Sequence, residues 1–204
     1  ANAHKSLRPV QFTQITFGGD LAAERAKNIE AGARWAVTPE LDLALTGFRF
    51  QFDNKLEFVN ATVGFRNLGQ ARHQGAELEM KWRPQAVRGL EFKTAYTQVD
   101  TEQQSGSFKG NQLPYAPRHQ LALNTTYRSQ GWTWSLNGHY QSEMFSDGAN
   151  TAAENASGSV GRIPSYWLWN AQVGYAFKWN GTRMKAGLAL NNLFNRDYYF
   201  RGVD

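Results

Sequence analysis

Glu77, Glu79 and Glu91 are the residues with the plainest chemical potential, because two or three carboxylates on one face can share general acid and base work. Lys81 and Lys93 fall on the same parity, and cations so placed favour an ion-pair lattice over carboxylates free to act on a substrate. His4, His73, His119 and His139 lack close ligand spacing, so a metal site would need distant residues to converge with carboxylates. Ser, His and Asp all occur, but no Gly-x-Ser-x-Gly turn presents a nucleophile. With no Cys in the chain, thiolate chemistry and disulfides are absent. The stretch 144–165 carries Asp147, Asn150 and Asn155 without EF-hand spacing and reads as a mobile loop. These residue types support no enzyme, and neither a metal nor a cofactor is expected.

The elements that must position these groups have a period of two. Strands are expected near 28–38, 40–52, 74–83, 89–100, 117–129, 131–143, 166–178 and 182–193. In "GWTWSLNGHYQ", Trp132, Trp134, Leu136, Gly138 and Tyr140 share one parity, and Thr133, Ser135, Asn137, His139 and Gln141 the other. Apolar sets of the same kind run through Ala76/Leu78/Met80/Trp82, Leu90/Phe92/Thr94/Tyr96 and Trp167/Trp169/Ala171/Val173/Tyr175. The opposite parity is polar in strand after strand. Strand 40–52 breaks the rule: Leu41, Leu43 and Leu45 give way to Phe48, Phe50 and Phe52 around Gly47. A bulge at Gly47 and inward aromatics packing inside a barrel are both compatible with that switch. "AAERAKNIEAG" is the one stretch that could form a turn or two of helix.

Short connections (Thr38-Pro39, "RPQAVR", "SQG", "WNG") alternate with long ones at roughly 6–27, 53–73, 101–116 and 144–165. Outer-membrane barrels have short periplasmic turns and longer outer loops, and strands of nine to eleven residues cross their wall. No run approaches the ~20 apolar residues of a spanning helix, and a mean hydropathy of -0.58 is compatible with alternating barrel strands. Trp82, Trp132, Trp134, Tyr140, Trp167, Trp169, Tyr175 and Trp179 lie mostly near strand ends, as lipid-facing aromatic girdles would. The net charge of +5 is scattered rather than blocked, which argues against nucleic acid as a partner. The expected fold is therefore an all-β, antiparallel transmembrane barrel with the lipid bilayer as a partner. A free-standing eight-stranded outer-membrane barrel of structural or adhesive role and a soluble Trp-rich carbohydrate-binding β-sandwich remain the alternatives.

"LALNNLFNRDYYFRG" resembles the signature near the end of TonB-dependent outer-membrane receptors. "AERAKNIEAGARW", "HQGAELEMKWRP", "LPYAPRHQLALNTTY" and "GRIPSYWLWNAQVGYAF" resemble successive strands of the same family, in order and over nearly the whole chain. "VQFTQI" and "DGANTAAENASGSVGRIP" are most similar to ferric citrate receptors within it. The resemblance implies eight consecutive strands, the fourteenth to twenty-first, of a barrel of about 22. Residues 1–204 would then be the C-terminal portion of that barrel, with the plug domain, its TonB-contacting segment and the last strand not in the chain.

The function so implied is uptake of a ferric chelate, ferric citrate or a related siderophore, across the outer membrane of a Gram-negative bacterium. TonB would drive it, and iron would arrive as chelated substrate rather than as a cofactor. Loops 6–27 and 53–73 correspond to those that close over ferric citrate, and a ligand-contacting Gln of the family aligns to Asn60. An anionic chelate calls for cations as well, since charge-assisted hydrogen bonds are the stronger ones. Arg8, Arg66, Arg72 and Arg162 lie in or beside the long loops and complete the candidate ligand set, with Gln70 and Gln74 weaker. Such a sheet cut from its barrel would have two raw edges and is expected to misfold alone.

Overall fold

Where large apolar residues recur at every second position the chain is extended, and each extended stretch pairs with the next. The computed structural model describes residues 1–11, 14, 20–60, 64–67, 69–156 and 160–198, with the backbone alone at 57–60. The strands are β1 (Asn2–Arg8), β2 (Glu24–Thr38), β3 (Leu41–Asp53), β4 (Leu56–Asn60), β5 (Gly64–Asn67), β6 (Ala71–Trp82), β7 (Leu90–Gln103), β8 (His119–Ser129), β9 (Trp132–Gln141), β10 (Met144–Phe145), β11 (Arg162–Ile163), β12 (Tyr166–Trp179) and β13 (Thr182–Leu190). Nine of them form one sheet in the order β1-β2-β3-β6-β7-β8-β9-β12-β13, every pair antiparallel. The hairpins β4–β5 and β10–β11 stand in two of the long connections.

All eight expected strands are present, and the structure adds a ninth. β1 occupies residues expected to belong partly to a loop, so the first long connection shrinks to residues 9–23. The possible helix in "AAERAKNIEAG" is instead the start of β2, whose residues 25–30 pair with β1 on one side and β3 on the other. Two ladders satisfy the backbone there, and pairing overrides a weak local preference. β3 runs through Gly47 without a register shift against either neighbour. The irregularity lies instead between Ala36 and Thr38 of β2. Phe48, Phe50 and Phe52 therefore belong to the polar face, and the bulge account of strand 40–52 falls.

The short turns show why the sheet folds back where it does. Gln130-Gly131 and Asn180-Gly181 have φ of 49°, 85°, 47° and 80°. Two positive φ values in a two-residue loop match the right-handed twist of the flanking strands. Thr38 caps the other tight turn, its Oγ1 accepting from the amides of Glu40 (3.2 Å) and Leu41 (3.1 Å). All short turns lie at one end of the sheet and all long connections at the other.

Register carries parity across the sheet. Leu45, Leu78, Tyr96, Leu121, Tyr140 and Trp167 are successive cross-strand partners on the aromatic face. Rings pack along it at both ends: Tyr140 tilts against Trp167 (5.1 Å between centroids) and Trp167 stacks on Trp169 (5.5 Å) near the long connections, while Trp132 tilts against Tyr175 (4.5 Å) and Tyr127 stacks on Trp134 (5.5 Å) near the turns. No second sheet covers this face among the described residues, and Trp35, Leu45, Trp134 and Leu188 are exposed on it. A sandwich needs such a cover, so the carbohydrate-binding alternative loses its architecture. Nor do the described strands close on themselves as the eight-stranded barrel would, because β1 and β13 are the two ends of a linear order.

Gly75 marks the tightest point of the ladder. A Cβ there would stand 2.0 Å from the Gln98 carbonyl oxygen and 3.0 Å from the Phe48 ring. Gly75→Ala in the complete protein is expected to cost about 1–3 kcal/mol through forced backbone shifts. A urea midpoint for folding into lipid vesicles equal to that of the parent would contradict this close approach.

Candidate functional site

The polar face divides into two zones. Toward the turns, Glu91 on β7 accepts from both Lys81 (3.4 Å) and Lys93 (3.2 Å), and Arg34 on β2 pairs with Glu79 (3.5 Å). Asn124 and Asn137 bond to one another across β8 and β9, and Thr126 joins them to Ser135 at 3.4 Å. Glu91 thus sits between two ammonium groups, which makes it part of an ion lattice rather than half of an acid–base dyad. A concavity of about 550 Å³ opens over this zone, lined among others by Arg34, Asp42, Glu79, Lys81, Lys93 and Asn124.

Toward the long connections the same face turns aromatic. Phe48 meets Phe50 edge-on at 5.8 Å, Phe50 stacks on Phe52 at 6.3 Å, and Phe52 lies 5.1 Å from the ring of His73. Register places Asn28, Phe50 and His73 side by side on β2, β3 and β6. Asn28 is 5% exposed, and its Oδ1 and the Nε2 of His73 are buried without a hydrogen-bond partner among the described residues. Burial lowers the pKa of His73 to about 4, reinforced by the charge of Lys55, whose Nζ stands 6.0 Å over the Phe52 ring. His73 lies three residues beyond Ala76, the topmost of its strand's apolar set, and so outside the apolar belt. The zone therefore offers three rings, a neutral imidazole and an amide oxygen, with hydrogen-bonding capacity left over.

The long connections are tied together side by side. Asn67 on β5 accepts from the Ala22 amide (2.9 Å) and donates to the carbonyls of Ala22 (3.0 Å) and Asn54 (2.7 Å), while Glu24 accepts from the Leu56 amide (3.1 Å). Connection 54–70 joins 104–118 where Ser105 Oγ accepts from Gln70 N (2.7 Å) and Gln70 O accepts from Gln104 N (2.8 Å). Connection 104–118 joins 142–165 through Asn150, which bonds both backbone groups of Gln112 (2.8 and 2.9 Å). The Gly148 carbonyl also accepts from Gln103 (2.9 Å) and Asn111 (3.0 Å). The described part of 144–165, expected to be mobile, is thus held by its neighbour, with Met144, Ser146 and Ile163 buried. Asp147 closes its own turn, accepting from Ala149 N (2.7 Å) and Thr151 Oγ1 (3.2 Å). No group of three or more His, Asp or Glu is placed to hold a metal among the described residues.

The candidate ligand residues separate on this frame. Arg8 ends β1 on the polar face, opposite Glu24, at the long-connection end. Arg66 on β5 is exposed and lines a small cavity of about 130 Å³ with Gln103, Ser105, Ser107 and Phe108, room for a carboxylate group rather than a whole chelate. Asn60 ends β4 and pairs with Gly64, while its side chain lies outside the described residues. Arg72 has the parity of the aromatic face and is bonded to Glu102. Arg162 pairs with Glu143 (3.2 Å) and covers the Phe145 ring at 5.4 Å. The geometry thus keeps Arg8, Arg66 and Asn60 at the loop end and commits Arg72 and Arg162 to partners. Trp82, Trp132, Trp134, Tyr140, Trp167, Trp169, Tyr175 and Trp179 all share the aromatic face.

Residues 1–193 match the family model for the TonB dependent receptor-like β-barrel. The chain belongs to the TonB-dependent receptor family. Its barrels stand in the outer membrane of Gram-negative bacteria, which places this chain there. The ferric citrate transporter FecA, in its unliganded form, is similar over 96% of this chain and 31% of its own, at 29% identity and a TM-score of 0.80. The metal-pseudopaline receptor CntO of Pseudomonas aeruginosa is 27% identical over 100% of this chain and 28% of its own length. The probable siderophore receptor PiuA of Acinetobacter baumannii is 26% identical over 86% of the chain and 24% of its own. The chain thus spans under a third of each.

Sequence reasoning placed neither His73 and Asn28 beside the phenylalanines nor Trp35 on the aromatic face. The parity switch at Gly47 signalled the first, and the alternation Ala31, Ala33, Trp35 the second. Unfolded histidine binds a proton near pH 6.5, whereas folded His73 does so only near 4. The fold therefore loses stability as pH falls from 6.5 toward 4. NMR titration of the complete receptor should show His73 still neutral at a pH of about 5.5, and a midpoint near 6.5 would contradict its burial.

Proposed function

We propose that residues 1–204 form the C-terminal portion of the barrel wall of a receptor that imports a ferric chelate, ferric citrate or a close relative. The plug and the closing strand would lie elsewhere in the protein. The observation that carries this reading is the likeness to the ferric citrate transporter FecA over 96% of the chain. The aromatic face meets lipid, with Trp and Tyr rings at its two headgroup boundaries. The polar face lines the lumen, where the lattice around Glu91 meets the plug. The tied long connections form the outer mouth, where Arg8, Arg66 and Asn60 supply cationic and amide donors to an anionic chelate. The cargo crosses with no bond made or broken, and the energy comes from TonB. The likeness to the metal-pseudopaline receptor over the whole chain favours a second reading, in which the cargo is a metal chelate other than ferric citrate.

Cells that depend on the complete receptor for iron should take up radiolabelled ferric citrate, and should lose that uptake when TonB is deleted. Arg66→Ala, which removes a charge-assisted contact, should weaken ferric citrate binding by roughly tenfold or more, and Asn60→Ala by about fivefold. Unchanged affinity in both variants would remove them from the site. Uptake of metal-loaded pseudopaline in place of ferric citrate would decide for the second cargo.

A further inference from the structure

Far below the mouth, the concavity of about 550 Å³ on the polar face has a composition of its own. Register lays Ala44, Glu79, Ala95 and Ala122 in one row across β3, β6, β7 and β8, and Asp42, Lys81, Lys93 and Asn124 in the next row toward the turns. The three alanines make the hollow, because only methyl groups stand there among longer neighbours. At about 3.3 Å per residue, it lies roughly 30 Å along β6 from Ala71 at the long-connection end. β6 and β7 each have a strand on both sides, so this part of the wall is complete.

Charge in the hollow is nearly balanced, but not fully. Arg34 pairs with Glu79 (3.5 Å), Asp42, across from Lys81, pairs with Arg83 (3.0 Å), and Lys81 and Lys93 share Glu91. Four cations thus meet three carboxylates in these ion pairs. The shared carboxylate is also the most withdrawn: the Glu91 side chain is 17% exposed, against 38% for Lys81 and 53% for Lys93. Lys81 and Lys93 line the hollow while Glu91 and, one row nearer the mouth, Glu77 lie outside the lining. Two ammonium groups, directly opposed across β6 and β7, therefore border open space with a single carboxylate behind them. Such a place attracts an anion without gripping it. A site that cargo must vacate has to be of this kind, favourable enough to enter and weak enough to leave. Its volume falls within the roughly 300–1,000 Å³ of small-molecule pockets.

We propose that Lys81 and Lys93, beside the floor of Ala44, Ala95 and Ala122, form an exit-side transit site for an anionic, carboxylate-rich metal chelate that has left the mouth. The site rests on the proposed import of such a chelate. At rest the plug lies against this zone, and the hollow opens to cargo when TonB displaces it.

The test uses cells carrying the complete receptor and separates two steps. Surface affinity for ferric citrate is measured with TonB deleted, and the initial uptake rate at saturating ferric citrate with TonB present. The combined variant Lys81→Gln, Glu91→Gln, Lys93→Gln removes both ammonium groups without stranding the carboxylate. It should lower the uptake rate roughly fivefold while surface affinity stays within about twofold of the parent's. Ala95→Leu with Ala122→Leu fills the hollow without altering charge and should slow uptake to a similar extent. The charge-preserving pair Lys81→Arg, Lys93→Arg should recover most of the rate. Lys178→Gln, on the polar face two strands beyond the hollow, should alter neither reading. Retained surface affinity shows that a variant has folded. Uptake at the parent's rate in both the charge-removed and the filled variant would overturn the proposal. New sensitivity of those cells to vancomycin would also overturn it, by assigning the residues to holding the plug. Failure of the parent itself to take up ferric citrate would instead overturn the cargo reading, and the transit site with it.

Discussion

Hydrocarbon offers a peptide group no hydrogen-bond partner, so a chain in a membrane-barrel family must pair each strand's amides and carbonyls with its neighbours. That constraint fixes the rest of the structure. Pairing makes the strands extended, extension makes side chains alternate, and alternation gives every strand two faces with opposite chemistry. A slip of one residue would carry an entire ladder's apolar set to the wrong side. The chain guards against this with two-residue positive-φ turns at Gln130-Gly131 and Asn180-Gly181 and with ring contacts across β8, β9 and β12.

The polar face is not uniform, and its division follows the axis of the strands. Near the turns, opposite charges and amides satisfy one another, as around Glu91 and along Asn124, Thr126 and Ser135. Near the long connections two groups lack a match among the described residues: the Asn28 oxygen and the His73 nitrogen are buried beside a row of phenylalanine rings. Unsatisfied buried polar atoms are rare in folded proteins and call for an explanation. On the proposed reading the satisfied zone rests against the plug and the unsatisfied one borders the mouth where cargo arrives.

The sheet was legible in the sequence because apolar and polar residues alternate so regularly in "WTWSLNGHYQ" and "WLWNAQVGYAF". β1 was not, since "NAHKSLR" has no apolar alternation and earns its place by pairing with β2. The passage of β3 through Gly47 was undecidable from composition and is decided by continuous register on both sides. The arginines illustrate a deeper limit. Arg8, Arg66, Arg72 and Arg162 look equivalent as loop cations. Only cross-strand neighbours reveal that Glu102 and Glu143 engage the last two, and that Arg72 has the parity of the aromatic face.

The ties between long connections bear on how such a mouth diversifies. Apart from the backbone bond between Gln104 and Gln70, the ties join a side chain of one connection to backbone of the next, as Asn67 does with Ala22, Ser105 with Gln70 and Asn150 with Gln112. Backbone groups are present whatever the neighbouring residues are, so each connection can change its own sequence freely while the knot persists. Asn67, Ser105 and Asn150 themselves are the fixed points. New recognition surfaces can therefore be written between the knots one stretch at a time, without redesigning the rim as a whole.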